Sequence, residues 1–311
     1  MSENLKELAI VGTGIAGVSA SIYAKRAGLD FFLFDHQIVG GQLLLMEAVD
    51  NYPGLEVGTR GADLAEKLNL SLEVLGIKQI KEKITKVEIV DNHVQLDSHN
   101  SKYSVKSLIV ATGASFKKLG VEGEDDFLGK GVSYCAICDG FFFRNKEVAV
   151  VGGGNTAAEE ALYLSNICKK VYLIHRGHRL RAIEYLQKKL LEKENIHILF
   201  NTQVRNISGK DLMERITIED THHQQERPLQ VQGIFVSIGV RPSTEIFRDV
   251  VAMDEHGFIL TNEEMRTSAD QIWACGDCRK RPLRQLVTAA SEGAIASLSV
   301  YHYIKGSYIS A

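Results

Sequence analysis

The sequence predicts an α/β fold made of two similar halves, with the second inserted into the first. One pattern, in which a strand, a glycine-rich turn, a helix and a second strand follow one another, occurs at residues 7–35 and again at 146–176. Each copy is followed by β-type segments and by an apolar strand that ends in small residues, at 107–114 and 233–242. A chain of 311 residues with 45% apolar residues can bury two cores. We therefore expect one architecture built twice.

The first copy places its glycine turn between a strand and a helix, in "ELAIVGTGIAGVSASIYAKRAGLDFFLFD" (7–35). The turn carries Gly12, Gly14 and Gly17, and Asp35 ends the second strand. Glycines at this spacing permit a tight turn and close approach of the backbone to a pyrophosphate, while the acid accepts hydrogen bonds from a ribose. The pattern predicts a Rossmann-type site for FAD or NAD.

The second copy carries a different charge. Its glycine turn is "GGGNTA" (152–157), and the position equivalent to Asp35 holds His175, followed by Arg176, Arg179 and Arg181. A carboxylate there would repel a 2′-phosphate, whereas arginines attract one. Taken alone, the basic run could be a solvated start of a helix. Next to a glycine turn it predicts an NADPH site, and two dinucleotide sites in one chain predict a flavoprotein oxidoreductase that passes electrons between cofactors.

The bulk composition excludes some partners. The chain has 36 basic and 39 acidic residues, and this balance argues against a protein built to bind nucleic acid or an anionic membrane. The polar start "MSENLKELAI" differs from a secretion signal, and no apolar run approaches the ~20 residues that span a bilayer. We expect a cytoplasmic protein.

Two cysteines lie close together in "YCAICDG" (134–140). Cys135 and Cys138 could be half of a metal site, a structural disulfide or a redox-active pair. A lasting structural disulfide is disfavoured in a reducing compartment, and a zinc site needs further ligands. Cys275 and Cys278 form a second CxxC and are the candidates for those ligands.

The order and spacing of six motifs resemble those of the low-molecular-weight thioredoxin reductases over nearly the whole chain. The motifs are "GTGIAG" (12–17), "GGQLLLMEAVDNYPG" (40–54), "VATGA" (110–114), "GVSYCAICDG" (131–140), "GGGNTAAEEALYLS" (152–165) and "IWACGDCRKRPLRQLVTAASEGAIAS" (272–297). The resemblance implies FAD and NADPH as cofactors, a thioredoxin or thioredoxin-like protein as partner, and a homodimer.

The resemblance also implies two sets of cofactor-binding residues. For FAD they are Gly12, Gly14, Ile15, Ala16, Gly17, Asp35, Gly41, Gln42, Leu43, Asn51, Ala111, Thr112, Gly113, Gly276, Asp277, Arg284, Gln285 and Leu286. For NADPH they are Gly152, Gly154, Asn155, Thr156, Ala157, His175, Arg176, Arg181, Ile238 and Gly239. Within the FAD set, the "GD" pair meets the ribityl and pyrophosphate groups, and the "RQL" run lines the isoalloxazine.

By the same resemblance, the first cysteine pair is redox-active. Cys138 is the sulfur next to the flavin, Cys135 attacks the disulfide of the partner protein, and Asp139 moves a proton on and off these thiols. Because the Gly-Asp between Cys275 and Cys278 already has a cofactor role, the second CxxC is interpreted as coincidence, and no metal is expected. Cys168 is expected to pack as a small apolar residue.

The domain boundaries follow from the repeat and the resemblance. Residues 1–115 and 247–311 are expected to form the FAD domain, and residues 116–246 the inserted NADPH domain that carries the first CxxC. The family rotates one domain on the other, with hinges expected near 115–117 and 244–247.

One position departs from the family pattern. The usual NADPH signature is His-Arg-Arg with a further Arg, but "HRGHRLRA" (175–182) has Gly177 in place of the second Arg. Loss of one charged hydrogen bond costs ~1.5–3 kcal/mol, so we expect a reduced preference for NADPH. NADH or ferredoxin therefore stays open as an alternative electron donor. A related flavin-dependent disulfide reductase or a dithiol oxidase stays open as an alternative enzyme. A non-catalytic redox-sensing or NAD(P)H-binding module is the alternative from another class of protein.

Overall fold

The computed structural model describes residues 5–46 and 48–306, and it divides the chain into two compact units. The first unit contains the residues up to 115 and those from 241 onward, and the second contains residues 116–240. The prediction of an α/β fold with one Rossmann-type domain inserted into another is confirmed.

The second boundary lies earlier than residue 246. The residues that follow Val240 are tied to the first unit, because the Ser243 N–H donates to the Gly113 carbonyl at 3.0 Å and the Thr244 hydroxyl to the Gly257 carbonyl at 2.6 Å. Phe247 is fully buried in the core of that unit. The chain therefore re-enters the first unit at residue 241.

The elements up to the first crossing are β1 (Lys6–Val11), α1 (Ile15–Arg26), β2 (Phe31–Phe34), α2 (Gly61–Val74), β3 (Gln79–Ile80), β4 (Ile84–Val90), β5 (His93–Ser98), β6 (Lys102–Val110) and β7 (Ala114–Phe116). Next come β8 (Val132–Ser133), α3 (Ala136–Asp139), β9 (Glu147–Val151), α4 (Asn155–Ser165), β10 (Lys170–Ile174), α5 (Glu184–Leu191), β11 (Ile196–Leu199), β12 (Thr202–Gly209), β13 (Met213–Asp220), β14 (Gln225–Gln230), β15 (Gly233–Val236) and β16 (Val240–Pro242). The last elements are β17 (Ile272–Ala274) and α6 (Leu286–Lys305).

The first unit is built on a sheet in the order β3-β2-β1-β6-β5-β4, with β17 added to β6. Strands β2, β1, β6 and β17 are parallel, and they are buried along most of their length. Because the carboxyl ends of parallel strands meet at one edge, the turns after β1, β6 and β17 lie together there. Those turns carry Gly12, Thr112 and Gly276.

The second unit repeats this arrangement. Its sheet has the order β11-β10-β9-β15-β8, all parallel, and a three-stranded antiparallel sheet of β12, β13 and β14 accompanies it. The carboxyl ends of β9, β10, β15 and β8 lead into the second glycine turn, into His175, into Ser237 and toward Cys135. One sheet edge therefore carries both the predicted nucleotide loop and the cysteine pair.

The chain passes between the units in β7 and again in β16, and these two passages are hydrogen-bonded to each other in both units. The Ser243–Gly113 bond lies on the first unit's side, and the Lys117 N–H donates to the Gly239 carbonyl at 3.0 Å on the other side. Within the two described ranges, no helix is long and apolar enough to cross a membrane.

Candidate functional site

The first glycine turn is closely packed at two of its three glycines. A Cβ on Gly12, whose φ is +114°, would lie 2.2 Å from the Ala111 carbonyl oxygen, and a Cβ on Gly17 would lie 1.8 Å from the Gly12 oxygen. A Cβ on Gly14 would meet nothing within 4 Å, and its backbone (φ −65°, ψ 175°) suits any residue. Packing of the chain therefore requires glycine at 12 and 17, while position 14 borders open space.

That open space has the polar groups that a pyrophosphate and a ribose need. No side chain caps the start of helix α1, because its N-cap residue is Gly14. N–H groups of the first turn are therefore left for a ligand. One Asp35 oxygen accepts from the Thr13 N–H and hydroxyl, both at 2.8 Å, and the other accepts from the Gln37 N–H at 3.0 Å. The carboxylate is thus fixed at the mouth of the turn with lone pairs to spare.

The segment predicted to cradle the flavin folds against this turn. Gly41 starts a 3₁₀ helix, Gly41–Leu45, and a Cβ on it would come within 3.3 Å of the Gly14 Cα. The Gln42 side-chain amide donates to the Ala114 carbonyl at 2.6 Å, and the Asn51 amide donates to the Gln285 side chain at 3.0 Å. These bonds join three segments that are distant in sequence.

Some residues predicted to bind FAD are buried in the core, so they can contact a cofactor mainly through their backbone. The Leu43 side chain is 1% exposed and belongs to the core, and Ile15 and Ala16 are buried with it.

Some buried polar atoms at this edge lack partners. Of the five buried side-chain polar atoms without a hydrogen-bond partner among the described residues, the Thr112 hydroxyl and the Arg284 Nε belong to the predicted FAD set, although a lone buried polar group is costly. The Arg284 guanidinium stacks 4.2 Å from the Phe258 ring centre, and burial lowers the pKa of Arg284. Both atoms fit a site that a flavin would complete.

Glu292 is a site residue that the sequence patterns missed. It accepts from the Gly276 N–H at 2.8 Å and forms ion pairs with Arg279 (2.5 Å) and Arg281 (3.2 Å). The neighbouring Asp277 carboxyl lies 3.5 Å from Arg281, and burial raises the pKa of Asp277. An acid within the small and apolar run "TAASEGAIAS" was the available signal, because such a residue must find partners when buried.

The second glycine turn repeats the first. A Cβ on Gly152 would lie 2.5 Å from the Ser237 carbonyl oxygen and 2.6 Å from the Ala157 Cβ, while a Cβ on Gly154 would meet nothing within 4 Å. The Asn155 side chain accepts from the Ile183 N–H at 2.9 Å, and Thr156 is exposed beside it. Position 154 therefore borders open space as position 14 does. The strand end that follows Ser237 carries Ile238, which is exposed, and Gly239, whose φ is +107°.

His175 belongs to the packing of this turn. Its ring occupies the space in which a Cβ on Gly153 would stand, its nearest ring atoms lying 2.3 Å from that point, and the side chain is 8% exposed. Burial lowers the pKa of His175, and the charges of Arg181 and Arg176 add to the effect. The lowered pKa of His175 favours the neutral imidazole, so the arginines supply the positive charge of the site.

Those arginines line a pocket of about 330 Å³ together with His175, Gly177 and His178. Arg176, Arg179 and Arg181 are exposed, and within the described part of the chain their side chains form no ion pair. The Arg181 N–H donates to the Gly153 carbonyl at 2.6 Å, which ties the arginine segment to the glycine turn.

Cys135 and Cys138 form a disulfide, with Cα atoms 5.3 Å apart, at the start of α3. Cys135 caps the helix, and its sulfur accepts the Cys138 N–H at 3.2 Å. The Ser133 hydroxyl donates to an Asp139 carboxylate oxygen at 2.6 Å and accepts the Cys135 N–H at 3.0 Å. Ser133, which sequence reasoning missed, thus joins the predicted acid to the first cysteine.

The second CxxC has a different environment. Cys275 and Cys278 are 0% exposed, and the Cys278 thiol donates to the carbonyls of Cys275 (3.2 Å) and Val110 (3.4 Å). Within residues 5–46 and 48–306, no cluster of three or more His, Cys, Asp or Glu residues is placed to hold a metal ion. Cys168 is buried in the core of the second unit. All three therefore pack as core residues.

Comparison with known proteins gives a consistent result. Residues 6–293 match the family described as pyridine nucleotide-disulphide oxidoreductase. The chain is 37% identical to the thioredoxin reductase of Bacillus subtilis (strain 168) over 306 residues, which cover 97% of this chain and 96% of that protein. It is 36% identical to the crystal structure of thioredoxin reductase from Streptococcus pyogenes MGAS5005, with a TM-score of 0.94 and coverage of 98% and 100%.

A ferredoxin-flavin thioredoxin reductase from Clostridium acetobutylicum is also similar. It is 30% identical, with a TM-score of 0.55 and coverage of 98% of this chain and 99% of that one.

We expect the two cysteine pairs to differ in reactivity. In the dithiothreitol-reduced native protein at about pH 8, iodoacetamide should label Cys135 and Cys138 and spare the other three cysteines. Burial raises the pKa of Cys168 to about 11 and that of Cys278 to about 12, so at this pH both remain protonated and unreactive. Peptide mass spectrometry with and without denaturant measures the labelling. Labelling of Cys278 as fast as that of Cys135 in the native protein would contradict the assignment.

Proposed function

Because the chain belongs to the low-molecular-weight thioredoxin reductases of the pyridine nucleotide-disulphide oxidoreductase family, we propose that it is an NADPH-dependent thioredoxin-disulfide reductase. With FAD and NADPH bound, the disulfide of Cys135 and Cys138 would receive two electrons and pass them to a thioredoxin or thioredoxin-like protein. The observation that carries the proposal is the position of the cysteine pair on the same sheet edge as the second glycine turn. We further propose a cytoplasmic homodimer.

The first unit would hold the flavin. A bound flavin accepts a hydride from a nicotinamide and passes two electrons to a disulfide. The open side of Gly14 and the start of α1 suit a pyrophosphate, Asp35 suits a ribose, and the unpartnered Thr112 and Arg284 atoms suit the polar groups of the ring system. FAD carries a pyrophosphate and the ribose of its adenosine, and FMN carries neither, so these features support FAD.

The second unit would hold the nicotinamide nucleotide. The open side of Gly154 and the start of α4 suit the pyrophosphate, and three unpaired arginines beside it suit the 2′-phosphate that distinguishes NADPH from NADH. His175 supports the turn by packing on Gly153.

The cysteines divide the exchange reaction between them. In the dithiol form, the Cys135 thiolate would be the better stabilised, because it accepts an N–H at the start of a helix. It attacks one sulfur of the partner disulfide, and the other partner sulfur leaves as a thiolate. Cys138 then attacks the Cys135 sulfur, re-forms the intramolecular disulfide and releases the partner as a dithiol. Asp139, held by Ser133, donates and accepts the thiol proton.

We expect Gly14→Val and Gly154→Val to separate the two nucleotide sites. Both backbones accept valine, and neither Cβ meets the protein, so both variants should fold. Gly14→Val should lose most of its bound flavin, seen as loss of the visible absorbance. Gly154→Val should keep the flavin and show a KM for NADPH raised about tenfold or more. Full flavin content in the first variant would refute the pyrophosphate assignment.

The two cysteines should behave differently toward a thioredoxin that keeps a single active-site cysteine, activated with 5-thio-2-nitrobenzoate. Reduced Cys138→Ser should displace the nitrobenzoate and form a stable covalent adduct, because its remaining thiol is the attacking one. Reduced Cys135→Ser should do so at least about tenfold more slowly. Release of the chromophore and a gel without reductant measure both. A faster reaction of Cys135→Ser would reverse the assignment.

Arg181→Ala should raise the KM for NADPH about tenfold and leave that for NADH nearly unchanged, since only NADPH carries the phosphate. Arg227→Ala, an exposed arginine on β14, is the control and should change neither. Equal losses with both nucleotides would show that Arg181 does not bind the phosphate.

The donor preference tests the whole nucleotide assignment. Gly177→Arg should widen the preference for NADPH, although its Cβ would lie 3.0 Å from the His175 Nε2, so the ring must shift by a few tenths of an ångström. If neither nicotinamide reduces the flavin, the NADPH proposal fails. A reduced ferredoxin then becomes the donor to test, as the name of the Clostridium acetobutylicum protein suggests for that relative.

A further inference from the structure

Glu160 connects the cysteine turn to the nucleotide turn. It lies in α4, which begins at the second glycine turn, and one carboxylate oxygen accepts the Ala136 N–H at 3.3 Å. The other oxygen accepts the Ser237 hydroxyl. Ala136 directly follows Cys135, and Ser237 directly follows β15. One carboxyl group therefore joins three segments of the second unit.

The surrounding packing is tight. A Cβ on Gly140 would lie 3.0 Å from the side chains of both Leu164 and Tyr163, so the end of the cysteine turn rests directly on α4. Ala136 is fully buried, and it shares a core cluster with Ala157 and Leu164. Rearrangement of the turn thus cannot take Ala136 away from Glu160 without opening this core.

The charge of Glu160 has no counter-ion among the residues that the structure describes. Glu159, on the same helix, is a like charge that acts on it. The turn whose Ala136 N–H it accepts also carries Asp139 and, after reduction, the two thiols. From the end of β15 comes only the Ser237 hydroxyl. Burial raises the pKa of Glu160, while the bonds from Ser237 and Ala136 act in the opposite direction.

We propose that Glu160 is a positioning residue that limits the reactivity of the Cys135 thiol. It fixes the Ala136 backbone, one residue from Cys135, and the negative charge held at that N–H disfavours the Cys135 thiolate. A proton on Glu160 removes this repulsion, so that protonation of Glu160 and ionisation of Cys135 favour each other. This inference rests on the proposed role of Cys135 as the exchange nucleophile. It assigns Glu160 to the thiol and not to the nucleotide.

The test is the pH dependence of Cys135 alkylation in the full-length, flavin-loaded protein. The protein is reduced with dithiothreitol without oxygen, treated with iodoacetamide across a pH series and analysed by peptide mass spectrometry. Glu160→Gln keeps an acceptor for the Ala136 N–H and a partner for Ser237 but cannot ionise. It should lower the pKa of Cys135 by about half a unit to one unit, which is roughly three- to tenfold faster alkylation near pH 7.

Glu159→Gln is the matched control, because it removes an exposed carboxylate from the neighbouring position of the same helix. It should leave the rate at Cys135 within about twofold. Glu160→Ala, which also removes the hydrogen bonds, shows whether geometry alone changes reactivity.

Two results would overturn the inference. One is an unchanged or raised pKa of Cys135 in Glu160→Gln. The other is a raised KM for NADPH in that variant with unchanged alkylation, which would assign Glu160 to the nucleotide. Because alkylation uses neither nicotinamide nor thioredoxin, a protein that shows the shift but reduces no thioredoxin would refute the proposed function alone.

Discussion

The first unit depends on the close contact between α1 and α6. Its two chain segments are separated by the whole insertion, and they meet because glycine lets backbones touch: a Cβ on Gly293 of α6 would lie 2.1 Å from the Ala16 carbonyl oxygen. Ala16 also leaves no room for a side chain at Gly276, where a Cβ would lie 2.9 Å from the Ala16 Cβ. The turn after β17, which carries Gly276, is thereby placed beside the glycine turn after β1. The candidate flavin site lies where these two turns meet.

Spacing alone does not decide the chemistry of a cysteine pair. Two CxxC sequences occur in this chain, and their environments are opposite. Cys135 and Cys138 are partly exposed at a sheet edge and lie beside the Ser133 and Asp139 pair, whereas Cys278 is fully buried and its thiol faces backbone carbonyls. Burial disfavours a thiolate, and the thiolate is the reactive species in disulfide exchange. The surroundings of each pair therefore determine which one can react.

The sequence predicted those features that are local and periodic. The two glycine turns and Asp35 were identified because each follows a strand at a fixed spacing. The cysteine pair was identified because two residues separate its members, and its redox role was implied by the family resemblance. Glu292 and the proposed positioning residue Glu160 were not identified, since their partners come from other elements and leave no local pattern. Ser133 was also missed, because a serine before a cysteine is not a recognisable motif. His175 shows a related limit: the sequence predicted it to bind the nucleotide, but its spacing gave no sign that the space left by Gly153 would bury the ring. The second boundary was placed too late because nothing in the composition near residue 240 marks the re-entry of the chain.

The paired hydrogen bonds at the crossings give the inserted unit a particular kind of independence. Lys117 and Gly239 are bonded to each other on one side, and Gly113 and Ser243 on the other. The first and last residues of the inserted unit therefore lie side by side. The two residues of the first unit between which the insertion stands also lie side by side. A domain with adjoining ends can complete its own core without pulling its host strands apart, and this is the geometry in which one domain can be exchanged for another during evolution.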